Sequence, residues 1–347
     1  MPPPLVTLAV CGPTASGKSE LSLDIAVALG AEVVNVDSVQ VYRGLDIGSA
    51  KVPPAGRRGV PHHLLDVFEP DRPANVAQFR ELALGAVRDI SARGRLPLLV
   101  GGSGMYFTVL LHGLADVPQA SAEVRAAVAA LAPDEMHREL MQADPAAAAR
   151  LHPGDLQRVS RALEIVRMSG SRPSELMAGH GFASADVVSL VLVLCRPRAE
   201  LYGRINQRSA KMLEEGLLKE AGDLLQRYGP VSPLATLGYK QACQALAGSL
   251  PEAGLAAEIA LHTRRFAKRQ MTYWRNEPPK RGWGVRPSEQ EQAEEVSGVE
   301  AVAGRGRSSA KGFRALRLPL PELISAVRAR LAAGLERTEV WYVTPPA

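Results

Sequence analysis

Residues 5–19 read LVTLAVCGPTASGKS, an apolar run that passes directly into a glycine-rich loop closing on Lys and Ser. The run shows no polar alternation, which predicts a strand buried on both faces. In the loop, Gly12, Pro13, Thr14, Ala15, Ser16 and Gly17 are mostly small residues that let backbone amides curl around phosphate oxygens at a helix N-terminus. Lys18 adds a point charge there, and the Ser19 hydroxyl suits Mg²⁺. A helical pattern, SELSLDIAVALG, follows at 19–30. Strand, phosphate loop and helix in this order predict an α/β fold, a P-loop NTPase-like parallel sheet flanked by helices.

Outward from the loop, AEVVNV ends at Asp37 and LPLLV ends at Gly101 and Gly102, while FRELALGAVRDISARG between them reads as a helix closing at Gly94. From 115 to 185 the sequence turns Ala-rich and helix-forming with Pro and Gly breaks, as an inserted all-helical subdomain would. VVSLVLVLC at 187–195 returns to strand character, and helical patterns follow at 198–228, 241–247 and 252–275. The expected organisation is a P-loop core over 1–114, a helical insertion over 115–185, and the rest of the core over 186–284 with a basic C-terminal helix. A low-complexity linker over 285–315 and a C-terminal helical extension over 316–347 complete it. In the extension, Ile324, Val327 and Leu331 stand at helical spacing after Pro321, so that helix is expected to pack on something.

A chain of 347 residues buries a sizeable core without staples. Cys11, Cys195 and Cys243 are few and far apart, with no CxxC pair, which speaks against a disulfide framework and a zinc site and for a reducing compartment. No basic leader precedes the first apolar run, and no apolar stretch approaches membrane-spanning length; a cytoplasmic protein with no membrane partner is expected. Lys and Arg exceed Asp and Glu by 41 to 36, a net charge of +5 that only mildly favours a polyanionic partner. The distribution says more: Arg264, Arg265, Lys268, Arg269, Arg275, Lys280 and Arg281 face one acid, Glu277, with Phe266, Tyr273 and Trp274 interleaved. Arg264 with Lys268, and Arg265 with Arg269, form rows that suit tracking phosphates and equally suit an exposed helix.

The same phosphate loop serves ATPases, GTPases and small-molecule kinases. An ATPase wants a second strand ending in Asp, whereas LPLLV ends in Gly101-Gly102-Ser103-Gly104, and no NKxD-type guanine reader is present. ATP hydrolysis as the purpose is therefore disfavoured. In an open parallel sheet the ligand crevice lies at the C-terminal ends of the strands, so Asp37 and Ser103 should both face the phosphate loop. Two readings stand for each: Asp37 acts in the chemistry or caps a turn, and the loop around Ser103 holds substrate or merely connects.

GPTASGKS, VDSVQVYRGLDIGSAK, VPHHLLDV, PLLVGGSGMYF, DLQRVSRALE, LYGRINQRSAKMLEEGLLKE, LGYKQA and RRFAKRQMTYWRN together resemble the tRNA dimethylallyltransferases, also called tRNA isopentenyltransferases. The matches run in collinear order from about residue 5 to about 277 and leave the segment after about 285 uncovered. The resemblance implies transfer of a dimethylallyl group from dimethylallyl diphosphate to N6 of the adenosine just 3′ of the anticodon, with Mg²⁺ as cofactor. The phosphate loop would then hold a leaving group, and a second strand-end acid would have no task.

By the same resemblance, Asp37 matches the catalytic aspartate, and Ser103 stands where most of the family carries Thr, a hydroxyl with a looser rotamer. Asp37, Ser38, Val39, Gln40 and Ser103, together with Arg125 and Gln157, Arg158, Val159, Ser160 and Arg161 of the insertion, are implied to meet the tRNA anticodon stem-loop. Spacing alone reads Arg158 and Arg161 as solvated helix charges. Arg204 and Arg208 are placed to reach the diphosphate or are surface charge. A monomer is expected. The rival readings are a P-loop small-molecule kinase using ATP, which leaves the basic C-terminal helix unexplained, and a noncatalytic RNA-binding protein, which leaves Asp37 without a task.

Overall fold

In the computed structural model of the protein the described residues are 4–72, 74–114, 117, 120–180, 186–280, 284–285, 316 and 318–345. The elements run β1 (Leu5–Cys11), α1 (Lys18–Leu29), β2 (Ala31–Asn35), β3 (His62–His63), α2 (Val76–Ala92), β4 (Leu96–Gly101) and α3 (Gly104–His112). They continue with α4 (Ala122–Ala129), α5 (Pro133–Ala143), α6 (Pro145–Arg150), α7 (Leu156–Ser169), α8 (Pro173–His180) and β5 (Val187–Leu194). The remainder is α9 (Arg198–Glu214), α10 (Leu217–Tyr228), α11 (Tyr239–Leu246), α12 (Leu255–Lys280), β6 (Gly284–Val285), α13 (Leu320–Ala332) and β7 (Glu339–Val343). Two compact units result, Met1–Leu111 with Ala185–Ala347, and His112–Ser184.

The first unit is built on a seven-stranded sheet in the order β3-β2-β4-β1-β5-β7-β6, every pairing parallel. Successive residues of a strand point to opposite faces. Ala9 and Cys11 therefore enter the layer that holds Phe79 and Val87 of α2, Tyr239 of α11 and Trp274 of α12. Leu8 and Val10 enter the layer that holds Leu21 and Ile25 of α1 and Leu323 and Val327 of α13. All residues of β5 are buried, as a strand covered by helices on both faces must be. The helical stretch expected over 198–228 is divided by Gly216, at φ +102°, into α9 and α10, whose Met212 and Leu217 are core.

The segment 316–347 is not purely helical. Its α13 buries Leu323 and Val327 completely, while the expected Ile324 and Leu331 are only partly covered. Beyond the helix, the run EVWYV forms β7, which pairs with β5 at Leu192 and Trp341 and with β6 at Val285 and Val340. A β-branched and aromatic run suits a buried strand, and here it becomes an interior strand of the core sheet. The linker expected over 285–315 lies outside the described residues except for Val285.

The second unit is helical, with Val128, Leu140, Val159 and Leu163 at the centre of its own core. Asp144, fully buried, is satisfied on both oxygens: Oδ1 accepts from the Ala147 N–H at 2.9 Å and the Ser174 hydroxyl at 2.8 Å, and Oδ2 from the Ser174 N–H at 2.8 Å. This carboxylate caps α6 and ties it to α8.

Candidate active site

The loop between β1 and α1 needs backbone conformations that few residues adopt. Gly12 sits at φ +137°, and a Cβ there would lie 2.8 Å from the Leu194 carbonyl oxygen. Ala15 is left-handed at φ 63°, and Gly17, at φ 95°, is the N-cap of α1. Lys18 Nζ donates to the Pro13 carbonyl at 2.7 Å, closing the loop on itself. Burial, reinforced by the Arg208 charge and opposed by Asp37, lowers the Lys18 pKa to about 8. From outside, Arg196 Nε donates to the Ser16 carbonyl at 2.8 Å and Arg204 Nε to the Ala15 carbonyl at 2.9 Å. Arg204 thus braces the loop as well as lining the crevice. Arg196 escaped sequence reasoning because a basic residue after a strand is unremarkable until β5 is known to neighbour β1.

Across the loop, Asp37 follows β2 and Ser103 follows β4, adjacent strands of the sheet. Asp37 Oδ1 accepts from the N–H groups of Val39 at 2.8 Å and Gln40 at 3.3 Å, so the acid does cap a turn. That leaves Oδ2, which accepts no hydrogen bond among the described residues. Ser103 Oγ accepts from the Ser38 N–H at 3.2 Å and lies 3.4 Å from the Ser38 hydroxyl. A crevice of about 460 Å³ in the first unit is lined by Lys18, Ser19, Asp37, Ser103, Arg208 and Gln270. Arg208 has no ion pair or hydrogen bond among the described residues; burial lowers its pKa, opposed by Asp37. The crevice therefore sets Lys18, Arg204 and Arg208 around an open volume opposite Asp37.

A second group of residues shapes one wall, and of these only Gln40 carried an expected role. Glu220 of α10 accepts from the N–H groups of Ile47 at 2.9 Å and Gly48 at 3.2 Å and from the Tyr239 hydroxyl at 2.6 Å. Gln40, expected to meet RNA, donates its side-chain amide to the Ser49 carbonyl at 3.0 Å. Lys51 Nζ donates to the Tyr42 carbonyl at 2.9 Å and pairs with Asp46 at 2.5 Å and Asp66 at 2.6 Å. The stretches VDSVQVYRGLDIGSAK, GLLKE and LGYKQA thus fold into one support.

In the helical unit, Arg125 and Gln157 are exposed, Arg158 pairs with Asp155 at 3.3 Å and Arg161 with Glu164 at 3.1 Å. Val159 is a correction: it is fully buried in that unit's core, so its side chain offers nothing to RNA. Along α12, Arg265, Lys268 and Arg269 are exposed, as a phosphate-tracking face requires. Of the aromatic residues interleaved with these charges, Trp274 is fully buried and meets Phe107 edge-on at 5.3 Å. Of the three, Phe266 lines the crevice, with Arg269 over its ring at 5.6 Å.

A glycine-rich loop at the C-terminal edge of a parallel sheet, facing an acid across a crevice, defines the first unit as an α/β protein with a P-loop-like fold. The family profile described as IPP transferase matches residues 40–277, and one described as isopentenyl transferase matches residues 6–62. The chain belongs to the IPP transferase family.

Similar proteins include a tRNA dimethylallyltransferase of Anaeromyxobacter sp. (strain Fw109-5), 45% identical over 78% of this chain and 91% of that protein. Another, from Geobacter sulfurreducens, is 44% identical over 77% of this chain and 88% of that protein. Among solved structures, the tRNA isopentenylpyrophosphate transferase of Bacillus halodurans superimposes with a TM-score of 0.58 at 36% identity, covering 79% of this chain and 88% of that one. A eukaryotic dimethylallyltransferase described as acting on tRNA gives a TM-score of 0.68 at 28% identity, covering 77% of this chain and 69% of that one. Among the described residues, no helix is long and apolar enough to cross a membrane.

Proposed function

We propose that the chain transfers a dimethylallyl group from dimethylallyl diphosphate to N6 of the adenosine immediately 3′ of the anticodon in tRNA, releasing diphosphate. Family membership and the names of its relatives support this reading. The observation that carries it is the single crevice in which Lys18 and Ser19 face Asp37 and Ser103.

The diphosphate occupies the loop from Gly12 to Ser19, where backbone amides, Lys18 and Arg208 counter the negative charge that grows on the bridging oxygen as the allylic C–O bond breaks. The adenine N6 lone pair is delocalised into the ring, and its proton becomes acidic only as the new C–N bond forms. Asp37 Oδ2 accepts that proton while Oδ1 stays bound to the turn. Ser103 orients the amine. Ser19 Oγ, exposed at the start of α1 and without a hydrogen bond among the described residues, fits a Mg²⁺ ligand. When bound, Mg²⁺ supplies counter-charge to the leaving diphosphate.

The target base is unstacked from the anticodon loop to reach the crevice. The exposed basic face of α12, Ser38, Val39 and Gln40, and Arg125, Gln157, Arg158, Ser160 and Arg161 of the helical unit are assigned to RNA. Val39 and Gln40 contribute through the turn they form with Asp37. The working unit is a monomer in the cytoplasm, where its RNA substrate is found.

Incubation with labelled dimethylallyl diphosphate, Mg²⁺ and unmodified tRNA should move label into RNA. Absence of transfer, together with ATP turnover on a small acceptor, would establish the kinase reading instead.

A further inference from the structure

The side chain of Gln270, on α12, is buried at 8% exposure and reaches two loops that are remote from it in sequence. Its Oε1 accepts from the Thr14 N–H at 2.8 Å, inside the phosphate loop. Its Nε2 donates to the Gly102 carbonyl at 2.9 Å, next to Ser103. One turn further along the same helix, the Tyr273 hydroxyl donates to the Gly104 carbonyl at 2.8 Å. Ser103 is therefore flanked on both sides by backbone carbonyls that α12 holds. The approach at Gly102 is close enough that a Cβ there would lie 2.4 Å from Gln270 Nε2.

We propose that Gln270 is a positioning residue for group transfer: its amide locks the phosphate loop to the loop carrying Ser103 and so fixes the leaving group relative to the accepting amine. The assignment rests on the transferase reading above. It follows from polarity as well as distance. The two loops present one donor, an N–H, and one acceptor, a C=O, and a carboxamide answers both at once. A carboxylate of the same shape keeps the first bond and sets an oxygen against the Gly102 carbonyl; a thioether of similar length makes neither. Taking up the Thr14 N–H also holds the loop's first turn in place, leaving later amides and Lys18 to the diphosphate. A shift of about 1 Å between reacting groups is enough to cost roughly 10²-fold in rate, so this bridge acts on turnover more than on RNA capture.

The test uses the full chain with Gln270→Glu and Gln270→Met. Both variants should lower kcat for transfer at least tenfold, keep KM for tRNA within about twofold and keep Tm within a few degrees of wild type. A protonated carboxyl again offers one donor and one acceptor, so Gln270→Glu should recover toward wild type as pH falls, relative to the wild-type profile, and Gln270→Met should not. Binding of inorganic diphosphate, measured without RNA, should weaken at least threefold in Gln270→Met. Wild-type kcat in both variants, or losses that follow a fall in Tm without the acid recovery of Gln270→Glu, would overturn the proposal. If the wild-type chain transfers nothing, the functional reading fails, and unchanged diphosphate binding in Gln270→Met would separately overturn the bridge.

Discussion

Ser103 Oγ accepts a hydrogen bond from the Ser38 backbone N–H at 3.2 Å, which ties the end of β4 to the turn that Asp37 caps at the end of β2. The hydroxyl and the acid are therefore parts of one hydrogen-bonded corner. Removing the hydroxyl in Ser103→Ala leaves that N–H without its partner and should lower kcat by about twofold to tenfold, the scale of one neutral hydrogen bond. Ser103→Thr introduces a β-branched hydroxyl with fewer rotamers and should match or exceed wild type in single-turnover assays.

Asp37 carries two tasks on two oxygens, and a substitution can separate them. Asp37→Asn keeps an acceptor for the Val39 and Gln40 N–H groups but removes the base. Transfer should fall about 10²- to 10⁴-fold, the usual contribution of a positioned acid or base, while inorganic diphosphate binds within twofold of wild type. Equal loss of both, read by calorimetry beside the transfer assay, would make Asp37 a structural cap.

Lys18 has a pKa lowered to about 8 by burial and by Arg208. Its charge in the free protein is thus largely present at pH 7 and disappears as pH rises through about 8. Diphosphate affinity should decline over that window relative to Lys18→Arg, whose charge does not titrate there. The comparison cancels the titration of the diphosphate itself. Parallel profiles for the two proteins would remove Lys18 from the anion site.

Glu32 lies on β2, beside the edge strand β3, where Arg93 donates to it from both terminal nitrogens and His63 Nε2 lies 2.8 Å from Oε2. The Arg93 guanidinium first, with His63 adding to it against the opposing effect of burial, lowers its pKa to about 2. A carboxyl depressed in the folded state contributes stability that is present above its unfolded value and is lost as pH falls through the folded one. Between pH 4.5 and 2 the unfolded chain binds the extra proton, so Tm should fall with decreasing pH in that window. Glu32→Gln should flatten this part of the profile in thermal melts.

Glu220→Ala would leave the Ile47 and Gly48 N–H groups and the Tyr239 hydroxyl without their shared acceptor. A loss of about 2 kcal/mol or more is expected, seen as a fall in Tm of roughly 4 °C or more. The loop that Gln40 holds through Ser49 loosens with it, so KM for RNA should rise more than diphosphate affinity falls.

Much of the core was legible because its signals are local. Apolar runs announce buried strands, and small residues before Lys18 and Ser19 announce a phosphate loop, whatever the rest of the chain does. Val159, four residues from Leu163, has the spacing of a helical core residue; it entered the stretch 157–161 through the family resemblance, which marks a segment and not the direction of each side chain. The strand at Glu339–Val343 was harder to see, because a short apolar run after a polar stretch does not say which sheet it joins.

By itself, the amino-acid order determined the strand, the glycine-rich loop closing on Lys18 and Ser19 and the helix after it, and that an acid and a hydroxyl each follow a strand-like run. Only the tertiary structure decided how the loop from Gly12 to Ser19 is held. Gln270 reaches it across 256 positions, Arg196 across 180 and Arg204 across 189. Each is a polar side chain on or beside a helix, and no local pattern shows which backbone group it holds. Its role exists only where the parallel sheet brings strand ends together and a buried N–H or C=O needs a partner.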